Sequence, residues 1–137
     1  MTALPDIDKV GLLIVRDGCM LLCRKRRGTP LLILPGGKRE AGESDVECLH
    51  REINEELGEV RVASLELLGR YRDRAAGDAE RFVQIALYRG ELHGTPAPQA
   101  EIAELVWFGP GDDRARLAPS IVNHILPDLV ARGILGW

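Results

Sequence analysis

Three glutamates, Glu52, Glu55 and Glu56, follow one another closely in a segment that reads as a helix. At helical spacing they fall within an arc of roughly 100°, so their carboxylates share one edge. Like charges three or four residues apart cost a few tenths of a kcal/mol, and acids in a last turn oppose the helix dipole. A hard divalent cation would reverse both penalties, because carboxylate oxygens are its preferred ligands. The alternative is a solvated acidic face.

The helix that must position these carboxylates has clear boundaries in the sequence. Ser44 is followed three residues later by Glu47, the capping-box arrangement that satisfies free backbone N–H groups at a helix start. Gly58 can take the left-handed conformation that ends a helix. An apolar stripe at helical spacing is expected to face the core. It consists of Val46, Leu49, Ile53 and Leu57.

Two further features flank the glutamates. Gly36 and Gly37 follow Pro35, and without a Cβ they would let the backbone approach a metal ion or a phosphate closely, although such a run is otherwise an ordinary turn. Arg51 has Glu47 and Glu55 at i−4 and i+4, so it is expected to orient carboxylates rather than to bind substrate.

Taken together, residues 37–58 resemble the signature of the MutT-like Nudix hydrolases. One departure is Glu59, which stands where the family pattern has an apolar residue. Chance agreement at eight spaced positions is improbable, so the signal is stronger than that of a lone glycine motif. The matching positions are Gly37, Glu43, Arg51, Glu52, Ile53, Glu55, Glu56 and Gly58.

The resemblance implies a metal-dependent enzyme. Glu52, Glu55 and Glu56, with Gly37 in the loop beside them, would hold Mg²⁺, or Mn²⁺, against a substrate diphosphate, and one glutamate would polarise the attacking water. Which glutamate is the general base, how many ions bind and which phosphorus is attacked stay open. Arg51 is expected to pair with Glu43 and tie the loop to the helix.

Other residues are candidates for a less specific reason, their position. Glu101 precedes a predicted strand, where some relatives place an auxiliary metal ligand, and the alternative is an exposed glutamate; Glu104 is a weaker competitor. Arg24 or Arg26, in a basic run at the end of a strand, and Lys38, beside the glycine pair, are candidates to bind the substrate's anionic groups. The alternative for the basic run is a solvated hairpin end.

The implied substrate is a small nucleoside diphosphate derivative. The proline or tyrosine that marks two Nudix subfamilies at a set distance past the signature is missing, since no proline lies between Pro35 and Pro96 and Tyr71 comes too early. A (deoxy)nucleoside triphosphate pyrophosphohydrolase is therefore favoured over an ADP-ribose or nucleotide-sugar pyrophosphatase. A third alternative is a catalytically silent nucleotide-sensing module, which the intact glutamate set disfavours.

Composition sets wider bounds. The chain has 137 residues and a net charge of −3, which fits one domain over residues 1–137 and argues against a nucleic-acid polymer as partner. Apolar runs are too short to span a membrane, and the N-terminus does not resemble a signal peptide. Three cysteines suggest reduced thiols in a cytoplasmic setting. Whether the chain forms a homodimer stays open.

The order of elements can also be predicted. Residues 10–16 and 19–25 form a hairpin around Asp17-Gly18, residues 31–34 form a short strand, and residues 60–71 and 82–91 form two more. Residues 73–80 are predicted to be a mobile loop, and residues 102–108 a further strand. A last helix follows Pro119 and is kinked or restarted at Pro127. Physics alone leaves several topologies open; the resemblance implies a Nudix-type α/β/α sandwich with a mixed sheet.

Overall fold

The computed structural model describes residues 6–137, so the part of the N-terminal signal-peptide interpretation that rests on residues 1–5 lies outside the described residues. The strands are β1 (Ile7–Leu13), β2 (Val15–Arg16), β3 (Cys19–Lys25), β4 (Gly36–Lys38), β5 (Arg61–Ala75), β6 (Asp78–His93) and β7 (Ile102–Phe108). The α-helices are α1 (Asp45–Leu57) and α2 (Leu126–Ala131). A 3-10 turn covers Arg114–Arg116, and a π-helical segment, Ile121–Ile125, leads directly into α2.

The strands form two sheets. One has the order β4-β1-β6-β5 and is mixed, since β1 runs parallel to β6 and antiparallel to β4. The other has the order β2-β3-β7 and is antiparallel. The predicted hairpin at Asp17-Gly18 is confirmed, and both of its turn residues have positive φ, as a tight two-residue turn requires. The first predicted strand, however, is divided between β1 and β2.

Alternate residues of the central strands face two separate cores. Val10, Leu12 and Ile14 pack with α1, whereas Leu13 packs with α2 and the π-helical segment. The same alternation divides β3, where Leu21 packs with α1 and neighbours on either side of it pack with α2. Strands whose two faces both lie against helices are the middle layer of an α/β/α sandwich, which confirms the predicted fold class.

Helix α1 begins and ends as the sequence predicts. Ser44 accepts a hydrogen bond from the Glu47 backbone N–H and the Glu47 side chain accepts one from Ser44, which completes the capping box. Gly58 ends the helix with φ of 81°. The predicted apolar stripe is wrong at one position, because Val46 is 41% exposed and Cys48 is buried in the α1 core. Val46 lies in the first turn of the helix.

The prediction of a mobile loop at residues 73–80 is wrong. Strands β5 and β6 continue through this stretch and meet at a tight turn formed by Ala76 and Gly77. The guanidinium groups of Arg72 and Arg74 lie 4.0 and 4.7 Å from the centre of the Phe82 ring. Cation–π contacts of this kind stabilise a hairpin whose composition is polar, so composition alone misled the prediction.

Two smaller predictions can also be compared with the structure. Residues 31–34 form only isolated bridges, from Ile33 to Cys23 and from Leu32 to Leu117, and the strand beside β1 is instead the glycine pair with Lys38. Of the two predicted alternatives at Pro127, the structure has the second: Pro127 stands in the first turn of a new α-helical segment, α2, which follows directly on the π-helical segment. Among residues 6–137, no helix is long and apolar enough to cross a membrane.

The contact between β4 and β1 requires glycine at position 36. A Cβ on Gly36 would lie 2.0 Å from the Val10 carbonyl oxygen, and the residue has φ of 137°. Both facts exclude other residues, since the obstacle is backbone and the conformation is one that side chains disfavour. The glycine loop is thus held against the middle of the sheet.

Gly36→Ala is therefore expected to lower the free energy of unfolding by about 2–4 kcal/mol, measured by urea denaturation. Gly42→Ala is the matched control, because Gly42 also has positive φ, 78°, but open space around it. It should cost only the conformational strain, roughly 1–2 kcal/mol. Equal losses in the two variants would contradict the close approach of β4 to β1.

Candidate active site

A cavity of about 420 Å³ opens beside the glycine loop. Its volume is within the usual range for sites that bind small molecules. The wall combines the start of β1, the end of β3, β4, one edge of α1, the turn between β5 and β6, and the residues around the start of the π-helical segment. Its charged members are Lys9, Lys25, Arg27, Lys38, Glu52, Glu56, Asp78 and Glu101.

Glu56 is the most deeply buried charged residue of this wall. Only 8% of it is exposed, and its Oε1 accepts a hydrogen bond of 2.8 Å from the Gly36 backbone N–H. Burial raises the pKa of the Glu56 carboxyl to about 7; the Gly36 N–H opposes this shift, and the nearby Glu52 carboxylate adds to it. A carboxyl group kept from water beside a second one is a costly arrangement, which positive charge in the cavity would relieve.

The side chain of Glu52 packs against Gly37, the other glycine of the loop. A Cβ on Gly37 would come 2.5 Å from the Glu52 carboxyl carbon, so the loop and the carboxylate are packed as closely as glycine permits. The side chain of Glu52 is only 16% exposed, and its Oε1 accepts a hydrogen bond of 2.8 Å from Arg51. The Gly37 backbone and the carboxylates of Glu52 and Glu56 therefore meet at one end of the cavity.

Arg51 connects this end of the cavity to the loop before α1. Its Nε and Nη2 donate hydrogen bonds of 2.7 and 2.8 Å to the two carboxylate oxygens of Glu43, and Nη2 also donates to the Lys38 carbonyl. These hydrogen bonds lower the pKa of Glu43 to about 2 and raise the pKa of Arg51. The predicted pairing of Arg51 with Glu43 is present in the structure, whereas Glu47 serves the capping box instead.

Glu55 occupies a different position from the other two helix glutamates. Its side chain is 55% exposed, and its carboxylate lies 3.6 Å from Arg51. It does not line the cavity, although Arg51 joins it to Glu52. The structure thus brings Glu52 and Glu56 together on the cavity wall and leaves Glu55 on the neighbouring surface.

The donor chemistry of this end of the cavity fits a hard divalent cation. Within the described residues, no group of three or more His, Cys, Asp or Glu side chains converges as a metal cluster. Two inward-facing carboxylates and a closely packed backbone suit Mg²⁺, which keeps several waters and takes few protein ligands. Both carboxylates are hydrogen-bonded, so their orientation is fixed before any ion arrives.

The basic run at the end of β3 divides by strand alternation. Arg24 donates a hydrogen bond of 2.9 Å to Glu104, and Arg26 donates one of 3.1 Å to the Ala100 carbonyl. Neither lines the cavity, whereas Lys25 and Arg27 do. The two predicted arginines therefore lie outside the cavity, and the basic groups that face it are their neighbours in the sequence.

Lys38 and Glu101, both predicted site residues, line the cavity. The competitor Glu104 does not, because it pairs with Arg24 and approaches Arg116. Ser120 lines the cavity and is buried, while Asn123 donates a hydrogen bond to Asp73. Within residues 6–137, no aromatic residue lines the cavity wall.

Lys9 is a wall residue that the sequence analysis missed. It lies in β1, half-buried, and burial lowers the pKa of its ammonium group, with Lys25 acting in the same direction and Glu56 against it. A signal was present, because Lys9 interrupts the apolar side of a strand whose neighbours two residues away are Ile7 and Gly11. A charged residue on the inward face of a strand indicates a polar environment there.

Gly37→Ala should displace the Glu52 carboxylate while leaving the fold intact, because the new Cβ meets the mobile end of a side chain. Turnover is expected to fall about 10- to 100-fold, the size of effect that a displacement of about an ångström has in an active site. Gly111→Ala is the control, since a Cβ there meets nothing within 4 Å. Activity and melting temperature should be measured together; wild-type turnover in Gly37→Ala would contradict a catalytic position for Glu52.

Arg51→Ala should lower both stability and turnover, because it leaves Glu43 and Glu52 without their shared partner. The melting temperature should fall by several degrees, while Arg61→Ala, an exposed arginine at the start of β5, should change neither property. Calorimetry and steady-state kinetics test this directly. A variant that loses turnover but keeps its melting temperature would show that Arg51 acts on substrate and does not orient the carboxylates.

Known proteins resemble this chain over most of its length. The sequence model of the NUDIX domain matches residues 6–128. A Bacillus subtilis (strain 168) protein named "Putative 8-oxo-dGTP diphosphatase" is 33% identical over 101 residues, which cover 72% of this chain and 64% of that protein. The matched part thus spans a little less than two-thirds of the length of this relative.

Solved structures give the same result for the fold. The solution structure of the E. coli ORF135 protein is 29% identical, covers 93% of this chain and 91% of its own, and superposes with a TM-score of 0.70. The crystal structure of the MutT NUDIX hydrolase from Burkholderia pseudomallei is 27% identical, with coverage of 86% and 95% and a TM-score of 0.73. With the NUDIX model matching nearly all of the described residues, the chain belongs to the NUDIX family.

Proposed function

We propose that this protein is a metal-dependent hydrolase that cleaves the diphosphate linkage of a nucleoside diphosphate derivative. The observation that supports this proposal most is that the carboxylates of Glu52 and Glu56 line the same cavity as the basic side chains of Lys25 and Lys38. Carboxylates can hold a divalent cation, and ammonium groups can hold phosphate oxygens. A diphosphate bound with its cation is a ligand that both sets can contact together.

The proposed metal donors are Glu52, Glu55 and Glu56, with Gly37 and Glu101 beside them, and the proposed ion is Mg²⁺ or Mn²⁺. Four of these five residues line the cavity, and Glu55 lies next to it, joined to Glu52 through Arg51. A bound cation supplies positive charge to the phosphate oxygens and lowers the pKa of a coordinated water.

The chain's own residues perform the remaining tasks. Arg51 holds Glu52 at 2.8 Å and so fixes the direction of its carboxylate, while the Gly36 N–H fixes Glu56. One of the glutamates accepts the proton of the attacking water, a contribution worth about 10²–10⁴-fold in rate. Lys38, exposed at the end of β4, neutralises charge on the phosphates.

For the substrate, we propose a (deoxy)nucleoside triphosphate, hydrolysed to the monophosphate and pyrophosphate. The apolar part of the cavity wall, which includes Ile33, Val83 and Ile121, offers a surface for the faces of a base. The name of the Bacillus subtilis relative, which refers to an oxidised deoxyguanosine triphosphate, supports the same class. An ADP-ribose or nucleotide-sugar pyrophosphatase is the alternative activity.

A substrate panel tests the proposal. Hydrolysis of ordinary and oxidised triphosphates, ADP-ribose and dinucleoside polyphosphates should be followed by phosphate release with a coupled phosphatase and Mg²⁺. Selective turnover of triphosphates that stops with a chelator is expected. Folded protein that binds nucleotides without hydrolysing any of them would favour a nucleotide-sensing module instead.

Glu55→Gln and Glu56→Gln should each lower turnover by orders of magnitude and leave the fold intact. Glu56→Gln should even be slightly more stable than wild type, because a buried carboxyl beside Glu52 is replaced by a neutral group. Glu59→Gln, an exposed residue just after α1, is the matched control and should keep wild-type rates. Near-wild-type rates with Mg²⁺ in the first two variants would overturn the metal assignment.

A further inference from the structure

Lys9 is a basic residue of the cavity wall that has no role in the proposed reaction as described above. It lies in β1 directly opposite Lys38 of β4, and on its other side it is in register with Ile85 of β6. Like charges directly opposite each other in antiparallel strands are destabilising. Lys25, from β3, lines the same cavity and adds to the repulsion that Lys9 feels. Three lysines from three strands therefore converge on one cavity.

These lysines differ from the basic residues just outside the cavity in one respect. Arg24, Arg26 and Arg51 are each bonded to a carboxylate or a carbonyl oxygen. In the described part of the chain, Lys9 and Lys25 form neither an ion pair nor a side-chain hydrogen bond. Taking an ammonium group partly out of water without a partner is costly, and an anionic ligand removes that cost.

The place of Lys9 along β1 indicates which part of a ligand it meets. On the cavity side of β1, Ile7 precedes Lys9 and Gly11 follows it; Ile7 is in register with Val83, and Gly11 with Gly36 of the glycine loop. Lys9 therefore stands between the apolar wall and the carboxylate end of the cavity. In a nucleoside triphosphate, the phosphate attached to the sugar likewise lies between the base and the remaining phosphates.

We propose that Lys9, together with Lys25, binds the phosphate group of the substrate that lies nearest the nucleoside. This inference rests on the proposed function, because it assumes that the cavity receives a phosphorylated ligand. Phosphate oxygens are bound here by the charge of two ammonium groups, those of Lys9 and Lys25, which pair with no carboxylate among the described residues.

The test measures binding without catalysis. Inorganic triphosphate is titrated by calorimetry into metal-free protein, with a chelator present, for wild type, Lys9→Met and Lys9→Arg. Losing a hydrogen bond to a charged group should weaken binding by roughly 10- to 100-fold in Lys9→Met, and Lys9→Arg should retain most of it. Arg61→Met removes the same charge from an exposed site outside the cavity wall and should bind like wild type. Lys9→Gln replaces Lys9→Met if the latter lacks the wild-type circular dichroism spectrum.

Kinetics with a nucleoside triphosphate and Mg²⁺ give an independent measurement. Lys9→Met should raise KM by a similar factor with kcat nearly unchanged, because the lost contact is made equally in the ground state and the transition state.

Two results would overturn the inference. Unchanged binding of triphosphate in Lys9→Met, with tighter binding of Mn²⁺, would show that Lys9 only balances the charge of Glu56. Equal weakening in Arg61→Met would show a dependence on net charge alone. The proposed function fails separately, if wild-type protein hydrolyses no member of the substrate panel, and the calorimetric result for Lys9 stands or falls without it.

Discussion

The close approach of the glycine loop to both β1 and α1 is the constraint on which the candidate site depends. Gly36 packs against the Val10 carbonyl and donates its N–H to Glu56, while Gly37 leaves room for the Glu52 carboxylate. The same short strand therefore joins the sheet to the helix and aims two carboxylates into the cavity. Because both neighbours are in contact, any side chain at either position must move one of them.

The acidic edge of α1 is stable for a local reason. Arg51 approaches Glu43, Glu52 and Glu55, so a single guanidinium group offsets part of the repulsion between the helix glutamates. Its fork geometry matches the two oxygens of Glu43, which a lysine could not reproduce. Glu56 is outside this network; it accepts a hydrogen bond from the Gly36 N–H, and Lys9 and Lys25 act on it electrostatically. Arg51 thus offsets the charge of Glu43, Glu52 and Glu55, and Glu56 is not among its partners in the described residues.

Local signals in the sequence predicted much of this arrangement. The capping box at Ser44 and the helix end at Gly58 depend on residues close in sequence, so spacing was sufficient. The pairing of Arg51 with Glu43 was expected from the resemblance to the Nudix signature. The hairpin at residues 73–80 was missed because cation–π contacts across the strands outweigh a polar composition. Which side chains of residues 24–27 point into the cavity depends on how the residues of β3 alternate between the two faces of the sheet. Four consecutive basic residues do not show which of them lie on the cavity face. Lys9 was missed because its role depends on strands β4 and β6, distant in sequence.

The distribution of charge partners distinguishes structural basic residues from those available to a ligand. Arg24 and Arg26 lie outside the cavity, and each has an oxygen acceptor within hydrogen-bonding distance. Lys9 and Lys25 face the cavity, and the described residues supply no such acceptor for them, although the carboxylates of Glu52 and Glu56 are near enough to affect them electrostatically. Opposite charges on one wall attract each other and would form ion pairs if the backbone let them approach. The sheet and α1 must therefore hold these side chains apart. A cavity built in this way has positive and negative groups that can each be satisfied by one ligand, a phosphate chain carrying its own cation.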